Sequence, residues 1–341
     1  MQEKHEEKLV LDQELRDDPV KEDQHRHPEH QIHHDSQTID APIESTVNAT
    51  VSSAMKPANQ KKRSQWLEVW RRLKQNKAAM VGLFIITILI LSAIFAPWIA
   101  PYHYDDQDLL RTFQSPSREH LLGTDNFGRD ILSRIIYGSR ISLMVGFIAV
   151  SISLIVGGFL GAVAGYYGGR LDNIIMRGID ILMAIPSILL AISIVASLGP
   201  GLRNVMIAVG IATIPTYARI VRASVITIKD QEFIEAARAV GANDMRIISK
   251  HIMPNSLAPL IVQGTLGVAN AILSAAGLSF IGLGFQPPTP EWGAMLSQGR
   301  QYIRDYWHMT TFPGLAIMTT IFGLNLLGDG LRDALDPRLK N

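Results

Sequence analysis

The chain of 341 residues contains no cysteine. That absence excludes structural disulfides, thiolate nucleophiles and zinc or iron–sulfur sites held by cysteine. Net charge is also missing. With 32 Lys/Arg against 31 Asp/Glu the balance is +1, which gives no argument for a nucleic-acid partner. The first ten residues, MQEKHEEKLV, lack an apolar core of about 7–15 residues, so no secretory signal peptide is expected. No G-x-x-x-x-G-K-[ST] loop occurs, so the chain is not expected to bind ATP itself. HExxH and nucleophile-elbow patterns are absent, and His120, His251 and His308 stand isolated. No catalytic residue, metal site or cofactor is therefore expected in this chain.

What is present is unevenly spread. Residues 1–78 hold 27 of the 63 charges, whereas residues 79–341 carry their charges in bunches between long apolar runs. This excludes one uniform globular domain and implies a polar tail joined to a membrane-embedded body. Residues 1–60 are rich in Glu, Asp, His, Gln and Ser/Thr and cannot bury enough apolar surface to offset chain entropy, so a disordered cytoplasmic tail is expected. Six of the ten histidines lie there: His5, His25, His27, His30, His33 and His34. They read either as a metal-binding tract or as a His-rich polar tail. The lack of a ligand pair in a rigid frame favours the second.

Residues 61–78 change character. The basic residues of KKR at 61–63, Arg71, Arg72, Lys74 and Lys77 interleave with Trp66, Val69, Trp70 and Leu73, which share one helical face. A basic amphipathic helix at the surface of an anionic leaflet is expected. Residues 79–341 then contain six apolar segments, at about 79–97, 141–164, 179–198, 205–220, 257–283 and 311–327. About 20 helical residues cross a hydrocarbon core of about 30 Å. The expected fold is an all-α membrane protein with six transmembrane helices.

Orientation follows from the basic residues. With both termini cytoplasmic, 24 Lys/Arg lie inside and eight outside: Arg111, Arg118, Arg129, Arg134, Arg140, Arg203, Arg300 and Arg304. All eleven lysines fall inside. The arrangement N-in, C-in is expected. Two acids sit near span ends. Asp180 follows Arg177 by three and Asp329 precedes Arg332 by three, spacings that suit local ion pairs. The alternative for both is a gating or substrate-path acid.

The cytoplasmic loop between spans four and five, residues 218–256, carries the most information. Asp230 can cap a helix through 231–240, on which Phe233, Ala237 and Val240 share a face. Gly241 stands where a helix end needs a left-handed residue. Asn243 can cap a second helix with Met245, Ile248 and Ile252 on one face, and Pro254 is expected to stop it. Two short angled helices projecting into the cytoplasm form a mechanical contact for a partner.

Glu235-Ala236-Ala237, Gly241 four residues on, and the ending His251-Ile252-Met253-Pro254 resemble the EAA loop of ABC importer permeases. Common versions of that motif end Ile-x-Leu-Pro. The ending here is similar to that of the peptide and nickel permeases. HLLGTDNFGRDILSRIIYGSRISLMVG at 120–146, FQPPTPEWGAML at 285–296 and GDGLRDALDPRL at 328–339 resemble the C-type subunit of oligopeptide and dipeptide permeases. In the first block, residues 130–138 read as an outer interfacial helix, with Asp125, Arg129, Asp130 and Arg134 able to pair.

The resemblance covers about residues 65–341. It implies a permease subunit of an ABC importer for di- or oligopeptides, whose 230–254 helices couple to an ATPase subunit through Glu235, Ala236, Ala237, Gly241, Ile252 and Pro254. It implies as partners a second homologous permease subunit, two ATPase subunits that bind ATP and Mg, and an extracytoplasmic substrate-binding protein. The alternatives are a nickel importer permease and an ATP-independent channel or scaffold.

Overall fold

A computed structural model describes residues 65–336, with the side chains of Gln65 and Trp66 excepted. The tail expected over residues 1–60, the KKR run at 61–63 and the terminal Arg338 and Lys340 lie outside the described residues. Among the described residues the architecture is all-helical. The main elements are α1 Gln65–Gln75, α2 Lys77–Ile94, α3 Ile131–Tyr167, α4 Gly169–Met183, α5 Ser187–Leu198 and α6 Leu202–Lys229. They continue as α7 Glu232–Ala239, α8 Asp244–Ile247, α9 Leu257–Phe280, α10 Trp292–Gly299 and α11 His308–Leu335.

Helices α2, α3, α6, α9 and α11 are each long and apolar enough to cross a membrane. The expected third span differs. Helices α4 and α5 pass the same test only as a pair bent by 85° across residues 184–186. Pro186 explains the break, since proline disfavours helical backbone at the residue before it. The second span also differs. The interfacial helix expected at 130–138 and the span expected at 141–164 are one rod, α3, of 37 residues. No break separates them, and Gly138 lets the rod pass close to the Pro290 carbonyl, which an added side chain would meet. At about 1.5 Å per residue α3 exceeds the bilayer core, so its first turns stand outside it.

Close packing between α3 and α6 organises the bundle. Gly157, Gly161 and Gly165 recur every fourth residue along α3. A Cβ at Gly157 would approach the Ile214 carbonyl to 2.6 Å, and one at Gly165 the Arg222 carbonyl to 2.9 Å. Only glycine lets two helix backbones come this near, which is how helices gain contact in lipid, where burial of apolar surface gives no drive. Ser153 Oγ reaches the Gly210 carbonyl at 2.7 Å across the same seam. Helix α6 is the most enclosed span, and α2, on the periphery, the least.

Both ends of the described chain lie at one end of the bundle. Leu73 of α1 packs with Ala334 near the end of α11, and Asn76 Nδ2 donates to Asp333 Oδ2 at 3.2 Å. Arg140 donates to the Ala93 carbonyl at 3.1 Å, which places the far end of α2 beside the start of the α3 span. The α1 end is thus the one where α3 meets α4 and α6 meets α7. The described lysines Lys74, Lys77, Lys229 and Lys250 belong to that end, which is the inner one by the distribution of basic residues.

The outer end is closed by residues 100–130 and 281–307. Arg129 Nε donates to Asp125 Oδ2 at 2.7 Å, and Arg134 Nε lies 3.7 Å from the same oxygen. Asp130 caps α3 by accepting from the Ser133 N–H at 2.7 Å and also meets His120 Nδ1 at 3.0 Å. All of these side chains are buried. The pairing expected among Asp125, Arg129 and Arg134 is present, while Asp130 takes His120 and Ser133 as its partners. Glu291, also buried, caps α10 by accepting from the N–H groups of Gly293 and Ala294 at 2.9 and 2.8 Å. Burial pushes its carboxyl above the ordinary range, against the opposing pull of those two N–H groups.

Candidate functional site

The candidate site is the inner loop between α6 and α9. Helix α6 ends at Lys229 with Asp230 as its C-cap, and Gln231 occupies the N-cap position of α7. Asp230 therefore closes the preceding helix and does not cap the next one as expected. Helix α7 ends in a tight reversal at Gly241, whose φ is +82°. The Gly241 N–H donates to the Arg238 carbonyl at 2.9 Å and the Ala242 N–H to the Ala237 carbonyl at 3.0 Å. This is the left-handed helix end for which glycine is suited. Asn243 caps α8 by accepting from the Arg246 N–H at 2.9 Å, as its position predicts.

Past Ile247 the helix widens. Residues Ile248–Ile252 form a π-helical turn, and Met253–Asn255 return to α geometry. Pro254 therefore does not stop the helix. Its ring occupies the first turn of that last segment, where no helical N–H is needed. The break falls at Ser256, a buried residue whose hydroxyl donates back to the Ile252 carbonyl at 3.0 Å. The wider turn shifts the register, so Ile247 and Ile252, five apart, both face the bundle. Met245, Ile248 and Ile252 consequently do not share one face.

The loop has an anchored side and a presented side. Ile234, Ile247 and Ile252 are fully buried against Val221, Val225 and Leu260. Tyr166 at the end of α3 donates its hydroxyl to Asp244 Oδ1 at 2.8 Å, and the Arg238 guanidinium stands 5.6 Å from the Tyr166 ring. The opposite side presents Phe233, Val240 and Met245, the last two 85% and 71% exposed. Glu235, Ala236, Gly241 and Pro254 are exposed, and Ala237 is half-buried. Among the residues singled out in the motif, Ile252 is fully buried, and the half-buried Ala237 packs against the same cluster. Exposed apolar groups rimmed by charge on a seated helix pair make this a candidate protein-docking surface.

The boundary acids find different partners from those the spacing predicts. Asp180 pairs with Arg219 of α6, whose Nη2 donates to Oδ1 at 2.6 Å, and not with Arg177. Ile179 of α4 packs against Ile214 and Ala218 of α6, which brings the neighbouring Asp180 and Arg219 together. Asp172 of α4 receives both Nε and Nη2 of Arg222 at 2.6 Å. The pair expected between Asp329 and Arg332 does not form, and both side chains are exposed. The α4–α6 pairs are hidden from sequence reading because their partners are 39 and 50 residues apart.

The chain is similar to known proteins along most of its length. Residues 155–341 match the family described as binding-protein-dependent transport system inner membrane component. Residues 64–116 match the N-terminal TM domain of oligopeptide transport permease C. The dipeptide transport system permease protein DppC of Alkalihalophilus pseudofirmus is 54% identical over 278 residues, spanning 82% of this chain and 91% of that protein. The di/tripeptide transport system permease protein DppC of Pseudomonas aeruginosa is 48% identical over 280 residues, spanning 80% and 92%. The glutathione transport system permease protein GsiD of Escherichia coli is 50% identical over 281 residues, spanning 82% and 92%. Among solved structures, a chain of the MetNI methionine ABC transporter in an inward-facing conformation superposes with a TM-score of 0.50 at 20% identity, covering 60% of this chain and 98% of that one. At that identity the likeness speaks to fold alone.

Proposed function

Because the chain belongs to the family of binding-protein-dependent transport system inner membrane components, we propose that this multi-pass membrane protein is a permease subunit importing di- or oligopeptides. Relatives of about half identical sequence carry dipeptide, di/tripeptide and glutathione transport in their names, which supports small peptides as the substrate class. The single observation that carries the mechanism is the two-sided loop. One side is welded to α6 and α3, and the other presents Phe233, Val240 and Met245 at the inner end.

ATP hydrolysis belongs to separate subunits in this proposal. Two ATPase subunits, carrying ATP and Mg, act at the inner end, and one of them receives the α7–α8 ridge. Glu235 and the apolar groups beside it dock, and Gly241 sets the bend. Ala236 keeps the α7 surface low enough for a partner to approach, and Ala237 lets α7 seat closely on the buried isoleucines. Ile252 acts from inside as the anchor, and Pro254 sits at the join to α9. Closure of the ATPases pushes on α7 and α8. Their anchors pass that push to α6, the most enclosed helix, and so to the whole bundle. The bundle then moves between two packings, one open to each side. A second, homologous permease subunit completes the path, and an extracytoplasmic binding protein delivers the substrate.

The test is uptake in a strain lacking only this subunit. Loss of di- and tripeptide uptake, restored by the gene, is the expected result. Loss of nickel uptake with peptide uptake intact would replace the substrate class. Peptide uptake that survives ATP depletion would replace the importer with a channel.

A further inference from the structure

A second permease subunit needs a surface on which to seat, and the two spans that follow the inner loop carry one. In the isolated chain α9 exposes Asn270, Leu273 and Gly277, and α11 exposes Met318, Phe322 and Asn325. Their spacings of three and four put each set on one strip of its helix. The two helices are neighbours. Gly328 of α11 lies against Leu266 of α9, and Leu324 packs with Ala269 and Ile272. Asn270 and Asn325 therefore lie within about one turn of the same depth.

That depth is inside the bilayer. Asn270 stands thirteen residues from the inner start of α9 and ten from its outer end. At about 1.5 Å per residue these are about 20 Å and about 15 Å, in a span that crosses a core of about 30 Å. Among the described residues neither carboxamide has a hydrogen-bond partner.

The peripheral helix α2 shows the contrast. Its exposed Val81, Phe84 and Ile88 have the same spacing, and its exposed hydroxyl, on Thr87, donates to the Leu83 carbonyl at 2.7 Å. Hydroxyls can return to their own helix in that way, an option open to Ser274 and Thr319 beside the two strips. The carboxamides of Asn270 and Asn325 each carry two N–H donors and a carbonyl that stay open. A polar group left unpaired in hydrocarbon is costly, so these strips do not suit lipid as the α2 strip does. Nor do they suit the wall of a water-filled path, since their other residues are Leu, Gly, Met and Phe. Apolar helices joined by isolated carboxamides are the composition of a helix–helix contact within a membrane.

We infer that the α9 and α11 strips seat transmembrane helices of the second permease subunit, with Asn270 and Asn325 hydrogen-bonding to polar groups of that subunit inside the bilayer. Two such bonds at one depth fix the register in which the subunits meet, as a single buried Asn does in a coiled coil. The inference rests on the importer reading and names the surface through which that partner joins.

The test is site-directed photocrosslinking of the complete transporter in its membrane. Leu273, Phe322 and, on α2, Phe84 are replaced one at a time by a benzophenone amino acid, and the products are identified by mass spectrometry. Positions 273 and 322 are expected to capture the second permease subunit, and position 84 to capture lipid alone. Asn270→Leu is expected to lower recovery of the second subunit with a tagged chain about threefold, the scale of one interhelical hydrogen bond in a membrane, with Asn270→Gln close to wild type. Lipid products alone at 273 and 322, a product with a second copy of this chain, equal capture of the second subunit at 84, or unchanged recovery in Asn270→Leu each overturns the inference. If the wild-type assembly contains no second permease subunit, the importer reading itself fails.

Discussion

The two ends of the bundle use charge in opposite ways. At the outer end Asp125, Arg129, Asp130 and Arg134 are all buried and bound to one another, to His120 or to backbone. At the inner end the loop between α6 and α9 buries three isoleucines and Ser256 but no charged side chain, and leaves Glu235, Val240 and Met245 in the open. A buried ion pair contributes little net stability, but removing one member leaves a charge uncompensated, so such a cluster holds one arrangement. An exposed ridge holds nothing by itself and gains its free energy only when a partner covers it. The outer end is built to stay the same, and the inner end leaves a ridge that only a partner could cover.

The largest effect that would break this contrast is at the outer end. Arg129→Ala strips Asp125 of its 2.7 Å partner and is expected to cost about 3–5 kcal/mol, read as lost yield and lost thermal stability in detergent. A variant of normal stability would show that the outer cluster is not structural. Next comes Gly241→Pro, which removes the N–H given to Arg238 and forbids φ near +82°. It is expected to abolish substrate-stimulated ATPase activity of the assembled transporter while membrane insertion persists. Glu235→Lys is expected to do the same without changing the backbone, which separates docking from bending.

Smaller effects sharpen the comparison. Val240→Asp places a charge on the most exposed apolar group of the ridge. It is expected to weaken ATPase-subunit capture in pull-downs by about tenfold, with stability unchanged. That is the scale of taking one apolar side chain out of an interface and desolvating one charge in its place. Tyr166→Phe removes the hydroxyl given to Asp244 and should loosen the loop by about 0.5–1.5 kcal/mol, seen as faster hydrogen exchange in residues 232–252. The smallest effect concerns Glu291. Its carboxyl is raised by burial, so its contribution to stability is present at acid pH and fades as pH rises through the raised value. Glu291→Gln is expected to flatten that slope in thermal melts, because the amide oxygen still accepts one N–H and no charge develops.

Local chemistry is legible wherever its partners are close in sequence. Gly241 and Asn243 act at the positions that helix-end rules assign them. The span boundaries depart from expectation where a neighbour intervenes. Nothing within residues 130–141 breaks the helix, and the separate interfacial helix expected there is part of α3, which passes close to the Pro290 carbonyl at Gly138. The face of α8 escapes sequence reading because a π-helical turn shifts register, and such a turn leaves no periodic trace in five residues.

Thus the absence of cysteine, the segregation of lysines, the number of crossings and the position of the long inner loop came from the sequence alone. Each depends on composition or on interactions within a few residues, where the chain has little choice. Tertiary structure decided the rest. It gave Asp180 to Arg219 in place of Arg177, turned Ile252 inward as an anchor, and bent α4 and α5 into one broken span. Those outcomes depend on which helices come near enough to compete for a side chain, and that is set by glycine seams such as Gly157–Gly161–Gly165, whose partners lie some fifty to sixty residues away.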